Sequence, residues 1–207
     1  MRRTKEDSQQ TRFELLHVAV KVFNEKGYSS ARLEDIAKEA GVTRGAIYHH
    51  FGGKAEIFKA LVKANKDQTR DFMTKEMEIF KGTMLQTLQH IFIKFLVRLE
   101  TDEYFRNVET LLYKTDLTGE LDELEQIYKL ETNDSFSQLI MLLEKGKKDK
   151  SIRDDLDSET FAFSIMSFIY GIMTMWLSNQ ELISIKQKAS QLSEYIFKVC
   201  KPLRIRQ

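Results

Sequence analysis

The sequence contains only one cysteine, one proline and nine glycines among its 207 residues. A single cysteine, Cys200, excludes a disulfide within the chain and favours a reducing compartment, so we expect a cytoplasmic protein. Nothing around Cys200 resembles the setting of a nucleophile, and we expect an inert packing or surface residue. Because proline and glycine are the strongest helix breakers, their scarcity predicts an all-α chain.

The chain also lacks an excess of either charge, since 32 Lys and Arg face 31 Asp and Glu for a net charge of +1. The overall charge therefore does not by itself indicate a nucleic-acid-binding protein. The distribution is uneven, because residues 1–54 have a net charge of +3 and residues 55–207 a net charge of −2. A mildly basic N-terminal region allows local DNA binding without requiring it.

No apolar run follows the arginines at the N-terminus, so the sequence does not predict a signal peptide. Residues 160–180 do form an uncharged stretch of nearly the length needed to cross a bilayer. Its apolar residues form two stripes on opposite sides of a helix. A line of small residues runs between the stripes: Ser164, Ser167, Gly171, Thr174 and Ser178. This pattern predicts a central helix packed by several neighbours rather than a membrane span.

The periodicity of the apolar residues predicts about nine helices. Their predicted ranges are 10–26, 33–40, 43–51, 54–80, 83–100, 103–115, 120–147, 158–178 and 182–200. In the first helix, apolar residues recur at helical spacing, namely Phe13, Leu16, Val20 and Phe23. Gly27 is the expected end of that helix.

Two short predicted helices, 33–40 and 43–51, are separated by only a few residues, which is the spacing of a helix-turn-helix. Gly41 can adopt the positive φ that such a turn needs, and the Thr43 hydroxyl can cap the second helix. Ile47 on that helix is predicted to face the core, together with Phe51 one turn later.

The outer face of the second helix is then left with an unusual set of residues, which are Thr43, Arg44, Gly45, Tyr48 and His49. A glycine in a solvent-exposed helix lowers helix stability by about 1 kcal/mol relative to alanine. A glycine at position 45 is explained if the helix backbone must approach a bulky partner such as a phosphate strand. Because the same face presents a long cation and two polar rings, the pattern predicts contact with DNA.

Other readings of this segment are disfavoured by geometry. His49 and His50 are adjacent on a helix and therefore point about 100° apart, which does not suit two ligands of one metal. The stretch Gly52-Gly53-Lys54 lacks both the spacing of a phosphate-binding loop and a preceding strand. No nucleophile motif appears elsewhere, so we expect neither an enzyme nor a metal or other cofactor.

The stretch LEDIAKEAGVTRGAIYHHFGGKAEIF closely resembles the signature of the TetR/AcrR family of bacterial transcriptional regulators. The AcrR-type repressors of multidrug efflux have a very similar AGVTRGAIY-HF core. The resemblance is dense over residues 12–61 and looser towards the C-terminus. It implies a three-helix DNA-binding head, residues 1–53, followed by a helical ligand-binding and dimerisation domain, residues 54–207.

The resemblance also implies roles for individual residues. Arg44, at the start of the recognition helix, is the expected reader of a base edge, with guanine its usual partner. Thr43 is expected to reach a phosphate as well as to cap the helix. Tyr48, His49 and Lys54 match positions of phosphate contacts, and Lys54 also lies at a helix N-terminus, where free amides attract anions.

A basic arm made of Arg2, Arg3 and Lys5 is expected to strengthen binding through the DNA backbone or minor groove. Two positions depart from the family pattern. Many relatives have a Ser/Thr pair where this chain has Ala31-Arg32, so we expect Ser30 or Arg32 to substitute in the cap and phosphate contact. Gly52-Gly53 replaces a polar cap before the fourth helix.

The C-terminal domain is expected to form a homodimer, because a small reading head needs a second copy at a fixed spacing on DNA. We predict that two C-terminal helices form a four-helix interface between subunits. The residues predicted for this interface are Phe161, Phe168, Ile185, Ala189, Leu192, Ile196 and Val199.

The same domain is rich in aromatic and methionine residues, which suits a pocket for a small lipophilic or aromatic effector. The predicted lining residues are Phe92, Phe95, Tyr113, Phe136, Ile140, Met166, Tyr170 and Met173. The sequence thus predicts a ligand-responsive repressor that binds a palindromic operator as a homodimer and is released by this effector, with activation left open because it depends on where the operator lies. Two alternatives stay open, a ligand-independent DNA-binding regulator and a helical small-molecule carrier whose head no longer binds DNA.

Overall fold

The computed structural model describes residues 5–202, and side chains from residue 8 onward. This part of the chain folds into nine α-helices and contains no strand, as the scarcity of breakers predicts. The helices are α1 Lys5–Lys26, α2 Leu33–Glu39, α3 Arg44–Phe51, α4 Lys54–Ile79, α5 Met84–Thr101, α6 Glu103–Lys114, α7 Asp122–Lys148, α8 Ser158–Ser178 and α9 Ile185–Phe197. Single 3-10 turns precede α7 at Gly119–Leu121 and follow α9 at Lys198–Cys200.

The predicted helix boundaries differ from the structure mainly at α1 and α9. Helix α1 begins at Lys5 rather than at residue 10. Helix α9 begins at Ile185 rather than at residue 182, because the Ser184 hydroxyl caps it by accepting a hydrogen bond from the Gln187 amide at 3.2 Å. The Glu100 carboxylate accepts a further hydrogen bond from the amide of Lys186 at 2.7 Å.

The described part of the chain divides into two compact units. The first unit contains the described residues through Thr69 together with Glu103–Glu125. The second contains Arg70–Asp102 and the described residues from Gln126 onward. The first half of α4 and the whole of α6 thus belong with the helix-turn-helix, a grouping that the local sequence pattern does not reveal.

The core of the first unit joins α1, α2 and α3 to α4 and α6. Its most deeply buried side chains include Phe23, Ile36, Ile47, Phe58 and Phe105. Helix α1 is fastened to α6 by Asn24, whose side-chain amide donates a hydrogen bond to the Asn107 carbonyl at 2.8 Å. Phe13 is 44% exposed, and its ring centroid lies 4.3 Å from that of His17.

The core of the second unit is built on the packing of α5 against α9. Phe197 of α9 makes edge contacts with two rings, Phe92 at 5.8 Å and Phe161 of α8 at 6.2 Å between centroids. Helix α8 was expected to be surrounded by neighbours, but Phe163 and Tyr170 on its outer side are 66% and 71% exposed. Helix α8 is also the one described helix that is long and apolar enough to cross a membrane.

Candidate nucleic-acid interface

The turn between α2 and α3 forms as the sequence predicts. Gly41 has a φ of +66°, a conformation that costs glycine little and other residues more. The Thr43 hydroxyl accepts a hydrogen bond from the Ala46 amide at 3.2 Å, which satisfies one of the free donors at the start of α3. Ile47 is fully buried beneath the turn and fixes α3 on the core of the first unit.

The five residues predicted for the outer face of α3 are all exposed in the structure. Thr43, Arg44, Gly45 and His49 are exposed, and Tyr48 is 47% exposed. A Cβ atom added to Gly45 would meet only the Thr43 hydroxyl oxygen, at an ordinary van der Waals distance of 3.8 Å. Since nothing within the described part of the chain requires a glycine there, the requirement points to a partner outside the protein.

Arg44 is held between two neighbours on this surface. Its Nη1 atom lies 2.7 Å from the Glu34 Oε1 of α2, and its guanidinium carbon lies 5.4 Å from the centre of the Tyr48 ring. A hydrogen bond with Tyr48 and the negative charge of Glu34 raise the pKa of the Arg44 guanidinium. Arg44 therefore remains a cation, and its side chain is oriented before any partner binds.

At the start of α2, the side chain of Asp35 accepts a cap hydrogen bond, a role that the sequence analysis did not assign to it. Arg32 occupies the cap position, and its amide donates to the Asp35 Oδ2 at 2.9 Å. Lys26 also reaches Asp35, at 2.5 Å, and this hydrogen bond lowers the pKa of the Asp35 carboxyl. Arg32 therefore occupies the predicted cap position, but its side chain has no acceptor for the free amides of the first turn, and Ser30 lies two residues before it. Both side chains are left exposed.

Lys54, at the start of α4, has partners within the protein. Its Nζ donates to the backbone carbonyls of Tyr28 at 3.0 Å and of Ser29 at 3.3 Å. The same ammonium lies 4.5 Å from the centre of the Tyr28 ring. Lys54 thus ties the loop between α1 and α2 to the start of α4, and the predicted phosphate contact would have to share the ammonium with these groups.

Arg12 of α1 is a residue of this region that sequence reasoning missed. Its guanidinium donates to the His50 carbonyl near the end of α3 and lies 4.2 Å from the centre of the half-buried Phe51 ring. A cation is favourable at a helix C-terminus because the last carbonyls lack intrahelical partners. The remaining predicted basic residues, Arg2 and Arg3, lie outside the described residues, as does the side chain of Lys5.

Most of the residues predicted for the dimer interface pack against other residues of the same chain. Ile185 and Ala189 are buried because the apolar seam of α9 packs on α5, and Phe161 of α8 is buried against Phe197. Phe168 is half-buried and stacks on Phe92 with 6.2 Å between ring centroids. The assignments of Phe161, Ile185 and Ala189 are corrected, because these side chains have almost no exposed surface, whereas Phe168 keeps part of its surface exposed and stays a prediction.

Three further residues predicted for the interface, Leu192, Ile196 and Val199, extend to the surface of the second unit. Leu192 and Ile196 are half-buried, and Val199 is 53% exposed. They therefore keep apolar surface that a second copy of the chain can cover.

An apolar surface that shares Val199 with this set is exposed in the second unit. It consists of Phe163 and Tyr170 on α8, Tyr195 on α9 and Val199 in the 3-10 turn after α9, the last two 62% and 53% exposed. A Cβ atom added to Gly171 would meet no atom within 4 Å. The line of small residues on α8 was the signal for this surface, because small side chains allow another helix to approach closely. We call these four residues the α8–α9 face.

The predicted pocket residues do not all lie inside one unit. Phe92 and Phe95 are buried, and four others are half-buried, namely Phe136, Ile140, Met166 and Met173. The assignment of Tyr170 to the pocket is corrected, since a residue that is 71% exposed on the outside of α8 does not line an internal cavity. Tyr113 belongs to the first unit and is 46% exposed, so it is not part of a cavity within the second unit either.

Two further observations concern reactive groups. Cys200 is completely buried, and burial raises the pKa of its thiol to about 12, which keeps the nucleophilic thiolate from forming. Within the part of the chain that the structure describes, no cluster of three or more His, Cys, Asp or Glu side chains has the arrangement of a metal site.

Comparison with known proteins assigns both parts of the chain. Residues 15–61 match the family of bacterial regulatory proteins known as the tetR family. Residues 83–202 match the C-terminal region of MAATS-type transcriptional repressors. The HTH-type transcriptional regulator AcrR of Shigella flexneri is 31% identical over 189 residues, which cover 91% of this chain and 88% of AcrR.

Two further relatives agree with this assignment. The HTH-type transcriptional regulator TtgR of Pseudomonas putida is 30% identical over 182 residues, covering 86% of this chain and 85% of TtgR. The crystal structure of NalD, the secondary repressor of the MexAB-OprM multidrug efflux pump in Pseudomonas aeruginosa, matches with a TM-score of 0.80 and 28% identity, over 95% of this chain and 98% of NalD. The chain belongs to the TetR family of bacterial regulatory proteins, and its C-terminal region is that of the MAATS-type transcriptional repressors.

Proposed function

We propose that the protein is a cytoplasmic transcriptional repressor that binds a palindromic operator as a homodimer and is released by a small lipophilic or aromatic effector. Its family consists of transcriptional regulators and not of enzymes. The observation that supports the proposal most strongly is the outer face of α3, where a capped helix start presents an oriented arginine beside an exposed glycine.

Helix α3 is the proposed recognition helix and enters the major groove. Arg44 contacts a guanine edge, while Gly45 allows the helix backbone to approach the sugar-phosphate strand. Tyr48 and His49 contact phosphates through the phenol and imidazole groups that are exposed beside Arg44. Thr43, Ser30 and Arg32 provide further phosphate contacts at the N-termini of α2 and α3. The arm residues Arg2 and Arg3 add an electrostatic contribution.

Two further residues act through the position of α3. Lys54 holds the loop between α1 and α2 against the start of α4, and Arg12 holds the end of α3. Both belong to the first unit, so they fix the recognition helix within one rigid head. We therefore propose that Lys54 contributes mainly by this anchoring and less by a direct phosphate contact.

Dimerisation is proposed to use the α8–α9 face, Phe163, Tyr170, Tyr195 and Val199, with Leu192 and Ile196 at its edge. Large apolar side chains that stay exposed on a folded chain are typical of a protein–protein interface. Pairing this face across a two-fold axis also explains why α8 is apolar on its outside without crossing a membrane.

An effector that is lipophilic or aromatic suits the second unit, whose core contains Phe92, Phe95 and half-buried methionines on α8. Similarity to NalD, a repressor of a multidrug efflux pump, supports an efflux operon as the regulated target. Release is proposed to be a population shift, in which the effector favours a state whose heads no longer fit the operator. Moving the protein from 99% bound to 99% released requires a preference on the order of 10⁴-fold between the two states.

The test is binding of the purified protein to DNA from its own upstream intergenic region across a series of salt concentrations. We expect a footprint with two-fold symmetry and an affinity that falls steeply with salt, because Lys and Arg contacts displace counterions from phosphates. Arg44→Ala is expected to lose operator affinity and to keep its affinity for random DNA. Binding that is equal on operator and random DNA for the unaltered protein would contradict the proposed function.

A further inference from the structure

The surface around α3 contains one carboxylate that the proposed function leaves unexplained. Glu34 of α2 is paired with Arg44 at 2.7 Å, and both side chains are 57% exposed. An exposed ion pair of this kind contributes little to folding stability. An acidic group on a surface that meets phosphates also weakens DNA binding. The position of Glu34 therefore needs a role that compensates for this repulsion.

The chemistry of the guanidinium provides such a role. Arginine has five N–H donors arranged around a rigid plane, so one edge can bind a carboxylate while another binds a base. In the structure Glu34 occupies an Nη1 donor, and Tyr48 lies against the same guanidinium. The remaining donors are those that a bidentate contact with the O6 and N7 atoms of guanine requires.

We propose that Glu34 is a positioning residue that determines specificity: its carboxylate holds Arg44 in the orientation that binds a guanine edge and also repels phosphates. On the correct site, the held arginine loses less side-chain freedom when it binds the base. On other DNA, the negative charge of the carboxylate repels phosphates and lowers the affinity. This inference rests on the proposed function, because it assigns a task within the same recognition surface.

Glu34 could instead act only through its place in the first turn of α2, where any acidic residue favours the helix. Glu34→Asp separates these roles, since aspartate keeps the charge in the first turn but is shorter by one methylene and no longer reaches Arg44. Glu34→Gln removes the charge and keeps the length. Glu39→Gln is the matched control, because Glu39 lies on the same helix and forms an exposed 2.7 Å pair, but with Lys21 of α1.

The experiment first selects an operator from a random DNA library with the unaltered protein. The dissociation constants of all variants are then measured on that operator and on random DNA, at one fixed salt concentration. The readout is the specificity ratio, which is the affinity for operator divided by the affinity for random DNA. Urea unfolding of each variant separates a loss of specificity from a loss of folding.

We expect Glu34→Gln to bind random DNA about threefold more tightly and to lose about tenfold in specificity ratio, within the range of one bidentate base contact. Glu34→Asp should lose about fivefold in specificity ratio without binding random DNA more tightly, since its charge is kept. Glu39→Gln should keep the ratio of the unaltered protein. Combining Glu34→Gln with Arg44→Ala should lower the ratio no further than Arg44→Ala alone.

A chemical readout locates the effect at guanine. Replacing guanines of the operator one at a time by 7-deazaguanine removes the N7 acceptor, and at the guanine bound by Arg44 the difference between Glu34→Asp and the unaltered protein should disappear. The proposal is overturned if Glu34→Asp keeps the full specificity ratio, or if Glu34→Gln tightens binding to operator and random DNA equally. If the unaltered protein selects no sequence, the proposed function fails and not the role of Glu34 alone.

Discussion

Gly45→Ala should make the protein more stable and at the same time a weaker DNA-binding protein. Gly45 is the second residue of α3, and an added Cβ atom would lie 3.8 Å from the Thr43 hydroxyl oxygen with no closer neighbour. The substitution is therefore compatible with the folded chain. Only a partner outside the protein can penalise the new methyl group.

The expected gain in stability follows from helix propensity. Replacing glycine by alanine inside a helix contributes about 0.5–1 kcal/mol, because the unfolded chain loses conformational freedom. For a protein of this size, that gain raises the Tm by about 1–4 °C. Thermal unfolding at a fixed protein concentration measures it, since the stability of a dimer depends on concentration.

The expected loss in binding follows from the proposed geometry. If the backbone at Gly45 approaches a sugar-phosphate strand, a methyl group displaces α3 outward and lengthens the contact of Arg44 with its base. We expect the operator affinity to fall by about tenfold or more, which corresponds to at least about 1.4 kcal/mol. Binding is measured by titration of a labelled operator at constant salt.

Ala46→Gly is the matched control, because it changes the same turn of α3 in the opposite sense and adds no atom to the outer face. If affinity simply followed the stability of α3, Gly45→Ala would bind more tightly than the unaltered protein and Ala46→Gly more weakly. The reasoning is refuted if Gly45→Ala gains stability and binds the operator as tightly as the unaltered protein does.

Four further substitutions test other parts of the account. Tyr170→Arg on the α8–α9 face should convert the dimer to a monomer in sedimentation, whereas Leu130→Arg, at the similarly exposed 66% position on α7, should not. Arg12→Lys should lower the unfolding free energy by about 0.5–1 kcal/mol and weaken binding to operator and random DNA alike, because lysine keeps the charge but loses the planar contact with Phe51. Lys54→Ala should weaken binding with an unchanged salt slope, since its ammonium is bound to two carbonyls; a slope smaller by about 0.9 would instead indicate a phosphate contact. Burial raises the pKa of the Cys200 thiol to about 12, so the folded chain keeps a proton that the unfolded chain releases above about pH 9. The unaltered protein should therefore lose about 1.4 kcal/mol more stability between pH 7 and 10 than Cys200→Ala in urea unfolding.

The helix-turn-helix could be predicted from the sequence because its determinants are local. A glycine that needs a positive φ, a threonine that caps the next helix and an isoleucine one turn later lie within a few residues of each other at Gly41, Thr43 and Ile47. Periodicity likewise predicts the other helices to within a few residues, since each has its own apolar face. The all-α class follows from the same patterns.

The contacts between helices could not be predicted in this way. Nothing in the pattern of α2 shows that Glu34 lies beside Arg44 rather than in solvent, or that Arg12 reaches the end of α3. These pairings depend on how the helices pack. Sequence reasoning also missed that Asp35 accepts a hydrogen bond from the Arg32 amide at the start of α2. This contact depends on the backbone geometry of the whole first turn.

The surface proposed for dimerisation shows a second limit of sequence reasoning. The α9 seam and the outer side of α8 are both apolar, and periodicity does not reveal whether a stripe is covered by the same chain or by another. The packing of α5 on α9 buries Ile185 and Ala189, which leaves the α8–α9 face for a partner. Tyr170 was assigned to the pocket rather than to this face because an aromatic residue on an apolar helix fits both.

Selection of DNA from a random library by the unaltered protein and by Arg44→Ala tests the central claim most directly. The account predicts that the unaltered protein enriches a two-fold symmetric sequence, with half-sites separated by one helical turn, about 10 bp, or a multiple of it. Each half-site should contain a guanine that Arg44→Ala no longer selects. Enrichment of no sequence, or of the same sequence by both proteins, would contradict the assignment of α3 and Arg44 to operator recognition.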